Sequence, residues 1–263
     1  MKLAAIYNVF DGEELLEGSI KCIRRDVDYV ILVAQSISNS GEAYDGGIQE
    51  GERLSMLDGF INCLEHYEPD LASSRHTNEI RKRQLGIDIA RDLGCTHFLH
   101  LDCDEYYNPD EFRRGKTVLQ GAQADGSVCR LWSYFRYPHL RVDKPEGYWV
   151  PFLHKLKVDT VCGCNRRYPF YVDPTRNVMP VRNVHEFSMN TLMMHHLSWV
   201  RRDIRLKFRN STANLNNVVW LNTLDAHATA AEGTHVPGWD RALLTVPVPA
   251  FFGDVYAAIK DEP

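Results

Sequence analysis

The chain has 263 residues, 44% of them hydrophobic and 25% charged, with 12 prolines and 17 glycines. This is the composition of an ordinary globular chain long enough for one large domain, and it excludes collagen-like and low-complexity classes. No run approaches the roughly 20 apolar residues of a membrane span. The short N-terminal apolar run is interrupted at Asn8 and Asp11, unlike a signal peptide, and seven scattered cysteines do not suggest a secreted disulfide framework. The expectation is a soluble cytoplasmic protein without a membrane partner. Charge divides unevenly: residues 1–125 hold 13 basic and 23 acidic side chains, net −10, and residues 126–263 hold 17 and 12, net +5. Such asymmetry suits a later half that faces an anionic partner, or a merely uneven solvated surface.

Residues 2–7 form an apolar run suited to a buried strand. Asp11 and Glu14 have N-cap and N3 spacing, which predicts a helix to about residue 25. Residues 29–34, Tyr-Val-Ile-Leu-Val-Ala, read as a strand covered on both faces. A polar loop over 35–51 follows, then helical patterns over 52–67 and 78–93. In the second, Ile80, Ile87, Ala90 and Leu93 share a face and Gly94 stops the helix. Residues 96–102 form a strand that ends in the acidic cluster Asp102-Cys103-Asp104-Glu105, and Asn108-Pro109 opens another helix. This β-α-β order predicts an α/β fold, a mostly parallel sheet with helices on both faces. Ligands bind outside the carboxyl ends of such strands, which gathers residues 7–11, 35–39 and 102–105 around one crevice. Residues 1–125 would be a ligand-binding half and 126–263 a less regular second half of one domain. In the latter, 127–137 and 148–157 read as strands, 201–209 as a basic helix and the last thirty residues as an extended tail.

Asp102-Cys103-Asp104 is the sharpest chemical signal. Carboxylates two apart at the end of a buried strand can hold Mn²⁺ or Mg²⁺, hard cations that share oxygen ligands with phosphates. A bland alternative is an acidic turn capping the next helix. His195-His196 lie in a strand-like run, where only one imidazole can face each side. Cys162-Gly163-Cys164 lacks the second Cys/His pair of a zinc site, and Gly46-Gly47 lacks the phosphate-loop pattern. Trp132, Tyr134, Phe135, Tyr137 and Trp149 read mainly as core, with one or two free to stack on a sugar or base.

Several of these pieces together resemble the nucleotide-sugar half of GT-A fold, family 2-like glycosyltransferases. They are the Tyr7-Asn8 turn, the acidic start at Asp11–Glu14, Asn78-Glu79-Ile80-Arg81-Lys82-Arg83, and the D-x-D motif. The resemblance implies a UDP-sugar donor with Asp104 as metal ligand and Asp102 facing the ribose or the metal. Tyr7, Asn8, Gln35, Asn78, Lys82, Arg83 and Lys207 would then surround the donor. Gln35-Ser36 stands where family 2 usually has an aspartate. Val184-His185-Glu186 resembles the family's His-Glu element and His195-His196-Leu197-Ser198-Trp199 its later His-containing element. By that alignment His196 is a third metal or phosphate contact and Glu186 the catalytic base, with Asp173 its rival. The stretch from His196 through Arg201, Arg202, Arg205, Lys207 and Arg209 is similar to bacteriophage enzymes that glycosylate 5-hydroxymethylcytosine in DNA, associated with TET-like dioxygenases. This implies hydroxymethylated DNA as acceptor, docked on Arg201, Arg202, Arg205 and Arg209. The alternatives are a polysaccharide or protein acceptor, or a non-catalytic sugar- or nucleic-acid-binding module.

Overall fold

The computed structural model describes residues 1–43, 59–163, 168–210, 217–237 and 241–259. Gly46-Gly47, Cys164 and residues 52–58 of the helix expected over 52–67 lie outside the described residues.

The first strand, β1 (Leu3–Val9), is nearly continuous in buried residues. It lies between β2 (Tyr29–Ala34) and β4 (His97–Asp102), parallel to both. The predicted helix is α1 (Glu13–Ile23), but its N-cap is Gly12 at φ 79°, not Asp11. Position 12 calls for glycine, because φ is positive there and a Cβ would overlap the guanidinium of Arg201. Residues 63–66 were expected at the end of a helix and instead form β3 (Cys63–His66), parallel to β2 in register from Ile31 opposite Cys63 to Ala34 opposite His66. The open backbone edge of β2 supplies hydrogen-bond partners that outweigh a local helical pattern.

Helix α2 (Arg75–Asp92) starts three residues before the predicted position because Ser74 caps it, its side chain accepting from the Thr77 amide. Gly94, at φ 68°, follows its end as expected. The buried face of α2 is apolar toward the C-terminus (Ile87, Ala90) but polar near the start, where Asn78, Lys82 and Arg83 are buried. After β4 the chain forms a short strand, β5 (Glu105–Tyr107), and then α3 (Pro109–Gly121). The Asn108 side chain caps α3 by accepting from the Asp110 and Glu111 amides.

The second half extends the sheet with antiparallel strands. The strand predicted over 127–137 is broken by Arg136, at φ 62°, into β6 (Gly126–Phe135) and β7 (Tyr137–Val142). β8 (Val150–Lys155) pairs antiparallel with both β4 and β6. β9 (Val161–Cys162) and β10 (Val178–Met179) form a separate ribbon. β11 (Val184–Glu186) runs parallel to β6. β12 (Met193–Trp199) lies parallel to β6 and antiparallel to β5, joining the acidic end of β4 to the second half. Then come α4 (Ile204–Asn210), α5 (Asn217–Ala228), β13 (Leu243–Thr245) and α6 (Val255–Ile259). The basic helix predicted from 201 thus begins at Ile204, leaving Arg201 and Arg202 ahead of it. The C-terminal stretch pairs with β7 through β13 and buries Phe252 against Tyr106, Tyr134 and His195.

The spatial order is β13-β7-β6-β8-β4-β1-β2-β3. The fold is α/β and GT-A-like (Rossmann-like): β3-β2-β1-β4 are all parallel, and the acidic motif leaves the last of them. The main core packs α1, α3 and β12 against one face of this sheet, and α2 covers the other. Among the described residues no helix is long and apolar enough to cross a membrane.

The contact between α2 and the sheet is close enough to require glycine at residue 86, where a Cβ would overlap Ile6 Cγ2. Gly86→Val is therefore expected to destabilise the fold by about 1–3 kcal/mol, the usual cost of overpacking. In urea denaturation, trimming the partner in the double variant with Ile6→Ala should recover part of that loss.

Candidate active site

The last residue of β4, Asp102, lies opposite Asn8 of β1 in parallel register. Arg83, on the buried face of α2, reaches both. Its Nη2 lies 3.2 Å from Asp102 Oδ1 and 2.8 Å from Glu79 Oε1. With the Asn8 amide oxygen turned toward it, Arg83 also donates from Nη1 and Nε at 3.2 Å. On the other side of Asp102 stands Arg176, from the short 3₁₀ turn Pro174–Arg176. Its Nη2 is 2.5 Å from Asp102 Oδ2, and its two amino groups also hold Glu105 at 3.0 and 2.5 Å. Burial opposes ionisation of Asp102, but the guanidiniums of Arg176 and Arg83 outweigh it and hold the carboxyl well below its ordinary range.

Asp104 is fully buried and makes a second cluster. Its Oδ2 accepts from Arg201 and, at 3.2 Å, from Lys207 on α4, while His196 Nε2 lies 3.5 Å from Oδ1. Here too burial raises the pKa and the cations Lys207 and Arg201, with His196, lower it further than burial can raise it. Among the described residues two buried atoms of this cluster make no close hydrogen bond: the donor Arg201 Nη1 and the acceptor Asp104 Oδ1, whose nearest donor is His196 Nε2 at 3.5 Å. A third, Gln35 Oε1, lies nearby, the Gln35 amide nitrogen donating to the Ile37 carbonyl at 2.7 Å.

Gln35, Asp102, Asp104, Arg201 and Lys207 line one open cavity together with Asn8 and Lys82. Lys82 donates to the Val9 carbonyl at 2.7 Å, and burial pushes its ammonium down to about 8. A second cavity backs onto the first. The two share Asp102, and His196 and Asp173 line the second with a set of aromatic side chains, Tyr148, Trp149 and Tyr171.

Most residues singled out from the sequence come together here, with exceptions that strand and helix geometry explain. Tyr7 does not reach the cavity. Side chains alternate along a strand, so Asn8 faces Arg83 while Tyr7 is buried in the core, bonded to Ser19 Oγ at 3.0 Å. The same alternation separates the histidines. His196 faces Asp104, whereas His195 is bonded to the Tyr134 hydroxyl at 2.8 Å and pushed down to about 3 by burial. Asn78 is a structural bracket, accepting from the Tyr67 hydroxyl and the Asp70 amide. Arg83 lies beneath Asp102 and Asn8 instead of lining the cavity. Arg201 is buried against Asp104 and so does not share an exposed face with Arg202, Arg205 and Arg209, which are exposed. Glu186 is exposed on β11, its Oε1 accepting from Trp149 Nε1 at 2.9 Å, while Asp173 lines the second cavity directly. Asp173 also caps the 3₁₀ turn, its Oδ1 accepting from the Thr175 amide and hydroxyl.

Arg176 was not foreseen. Its local signal is the Asp-Pro-Thr-Arg turn, which predicts a cap but not a partner 74 residues away. Tyr148, expected at the start of a strand over 148–157, lies ahead of β8, which begins at Val150, and Tyr171, in an irregular segment, gave no signal.

The donor set bears on a metal ion. Among the described residues no group of three or more His, Cys, Asp or Glu side chains is arranged to hold one. Asp104 Oδ1 and His196 Nε2 nonetheless fit two positions of a Mn²⁺ or Mg²⁺ shell, the remainder coming from phosphate oxygens and water. Both oxygens of Asp102, by contrast, are engaged by guanidiniums.

No protein-family profile matches the chain, and no curated protein matches it. Among solved structures, S. aureus TarS in complex with UDP is similar at 15% identity, over 51% of this chain and 36% of that one, with a TM-score of 0.37. S. aureus TarS 1-349 is similar at 11% identity over 88% of this chain and 73% of that one, TM-score 0.46. A 4-diphosphocytidyl-2C-methyl-D-erythritol synthase is similar at 12% identity over 72% and 91%, TM-score 0.40. The chain thus spans little more than a third of the UDP-bound TarS chain.

The buried ion pairs set an acid limit on stability. Asp102 and Asp104 have folded pKa values below the unfolded value of about 4. Their contribution is complete above about pH 4 and is lost as pH falls below it toward the folded values. Denaturant midpoints should fall between about pH 4 and 2.5, and Arg176→Gln, which raises the folded pKa of Asp102, should flatten that fall while lowering stability at pH 7.

Proposed function

We propose that this protein is a glycosyltransferase that moves a sugar from a nucleotide-sugar, a UDP-sugar, to an acceptor hydroxyl. The observation that carries the reading is that two residues lining the first cavity, Arg201 and Asp104, each keep a buried polar atom, the donor Nη1 and the acceptor Oδ1, without a hydrogen-bond partner among the described residues. An unmade hydrogen bond at a buried polar atom is costly. A diphosphate oxygen on Arg201 and a divalent cation on Asp104 would satisfy both at once. In this reading Lys82 and Lys207 add positive charge to the diphosphate, and Gln35 Oε1 accepts from an N–H of the base.

Asp104 and His196 would hold Mn²⁺ or Mg²⁺. The ion when bound neutralises charge on the leaving diphosphate. The chain's own residues do the rest. Arg201, Lys82 and Lys207 stabilise the developing negative charge, and Asp102, held rigid between Arg83 and Arg176, separates donor from acceptor. We assign the base to Asp173, in the second cavity, whose Oδ2 makes no hydrogen bond among the described residues. As the acceptor oxygen bonds to the anomeric carbon, the bond from that carbon to the diphosphate breaks, and the hydroxyl proton passes to Asp173.

A second reading of the acceptor, 5-hydroxymethylcytosine in DNA, is favoured by the exposed Arg202, Arg205 and Arg209, in the stretch that brings Lys207 into the cavity. Its mark would be a steep fall of acceptor binding with salt.

UDP-sugars incubated with the protein and Mn²⁺ should release UDP. Asp104→Asn should reduce that release at least a hundredfold at a temperature where circular dichroism shows the variant folded, its buried ion pairs having been weakened. Asp173→Asn should lower acceptor-dependent transfer by about 10²–10⁴, the range of general-base catalysis, and UDP binding far less. Unchanged UDP release by Asp104→Asn would remove the reading.

A further inference from the structure

The second cavity carries information about the acceptor. It is walled by Tyr148, Trp149, Pro151, Tyr171 and Met194, with the Asp173 carboxylate on its lining. This is the mix of apolar surface and few polar groups that marks a small-molecule subsite. Trp149 is fixed from three directions. The Arg130 guanidinium lies over its ring at 4.6 Å, Phe170 packs at 5.4 Å with the planes tilted by 59°, and Nε1 donates to Glu186. The backbone amide of Trp149 also donates to the Tyr171 carbonyl at 2.9 Å, tying the two aromatic segments together. Tyr171 itself is 75% exposed, an unusual position for a large aromatic side chain with no apolar cover.

Charge selects between acceptor classes. Three cations, Lys82, Arg201 and Lys207, line the first cavity, while Arg130 lies against the Trp149 ring without lining the second. The arginine or lysine lining the second is Arg176, which is buried and held by Asp102 and Glu105. Asp173 and, through Trp149, Glu186 make this side of the site acidic. A nucleotide turned out of a DNA strand would bring flanking phosphates against those carboxylates. A neutral ring with an apolar face and several hydroxyls meets no such penalty.

We infer that the second cavity is an acceptor subsite for a neutral sugar ring packed against the aromatic wall of Tyr148, Trp149 and Tyr171, with Glu186 as a positioning residue that holds the indole. This rests on the glycosyltransferase reading for its chemistry but not for its binding test. The aromatic wall supplies contact with the C–H face of the ring, and Asp173 takes a hydroxyl.

The test uses calorimetric titration of the whole chain with neutral trisaccharides (maltotriose, cellotriose and chitotriose) and with single-stranded DNA containing 5-hydroxymethylcytosine. No transfer is needed, and UDP binding is measured alongside, so loss of the donor reading and loss of the acceptor reading are distinguishable. At least one trisaccharide should bind saturably, with binding weakened tenfold or more in Trp149→Ala. Glu186 is exposed, so its variants are expected to fold. Glu186→Gln keeps an oxygen for the Trp149 N–H and should stay within twofold of the wild type, whereas Glu186→Ala should weaken binding at least fivefold. In transfer assays the Glu186→Ala defect should appear in the acceptor KM and not in kcat. Absence of binding by all three trisaccharides, binding of the DNA in their place, or equal loss in Glu186→Gln and Glu186→Ala overturns the inference.

Discussion

Asp102 and Asp104 leave the end of β4 with four cations packed against them, each from a different part of the chain. Arg83 comes from α2, Arg176 from a 3₁₀ turn, Arg201 from the segment after β12, and Lys207 from α4. Asp104 is buried and Asp102 is half-buried; holding a charged carboxylate at Asp104 would be prohibitive without such partners, and removing one partner from a buried pair typically costs about 3–5 kcal/mol. The cluster therefore fixes where the second half of the chain docks on the first. It also explains why the site residues are drawn from elements so far apart in sequence.

Arg83, beneath Asn8 and Asp102, and Arg176, shared between Asp102 and Glu105, have their donors occupied and hold the carboxylates in place. Arg201 differs, because Nη1 stays unpartnered beside a cavity while another of its nitrogens holds Asp104. On the proposed reading, that donor and the neighbouring Asp104 Oδ1 would meet a ligand carrying both signs of charge. Gly12 belongs to the same design, since any side chain there would occupy the space of the Arg201 guanidinium.

Strand alternation divides binding from structural support. On β1 it sends Asn8 to the site and Tyr7 to the core, and on β12 it sends His196 toward Asp104 and His195 into an aromatic cluster with Tyr134, Phe251 and Phe252. His196 lies 3.5 Å from Asp104 and also lines the second cavity, so one residue touches both sides of the site.

The sequence alone determined what depends on near neighbours. The apolar run of β2, the Asn108-Pro109 start of α3, the stop at Gly94 and the placing of an acidic motif at the end of a buried strand all follow from local patterns. Periodicity also indicated that only one of His195 and His196 could face the site. Tertiary structure decided the rest. Residues 63–66 became a strand because β2 had an unpaired edge, and the guanidinium of Arg201 took the space that a side chain at residue 12 would need. Arg201 itself, read as part of a basic surface, was drawn inward by Asp104, and Arg176 found its carboxylates across 71 and 74 residues of chain. Local sequence sets backbone preference and side-chain spacing. It does not encode which distant charge will share a dehydrated site, because that pairing is fixed only when packing removes the water that would otherwise have solvated each group.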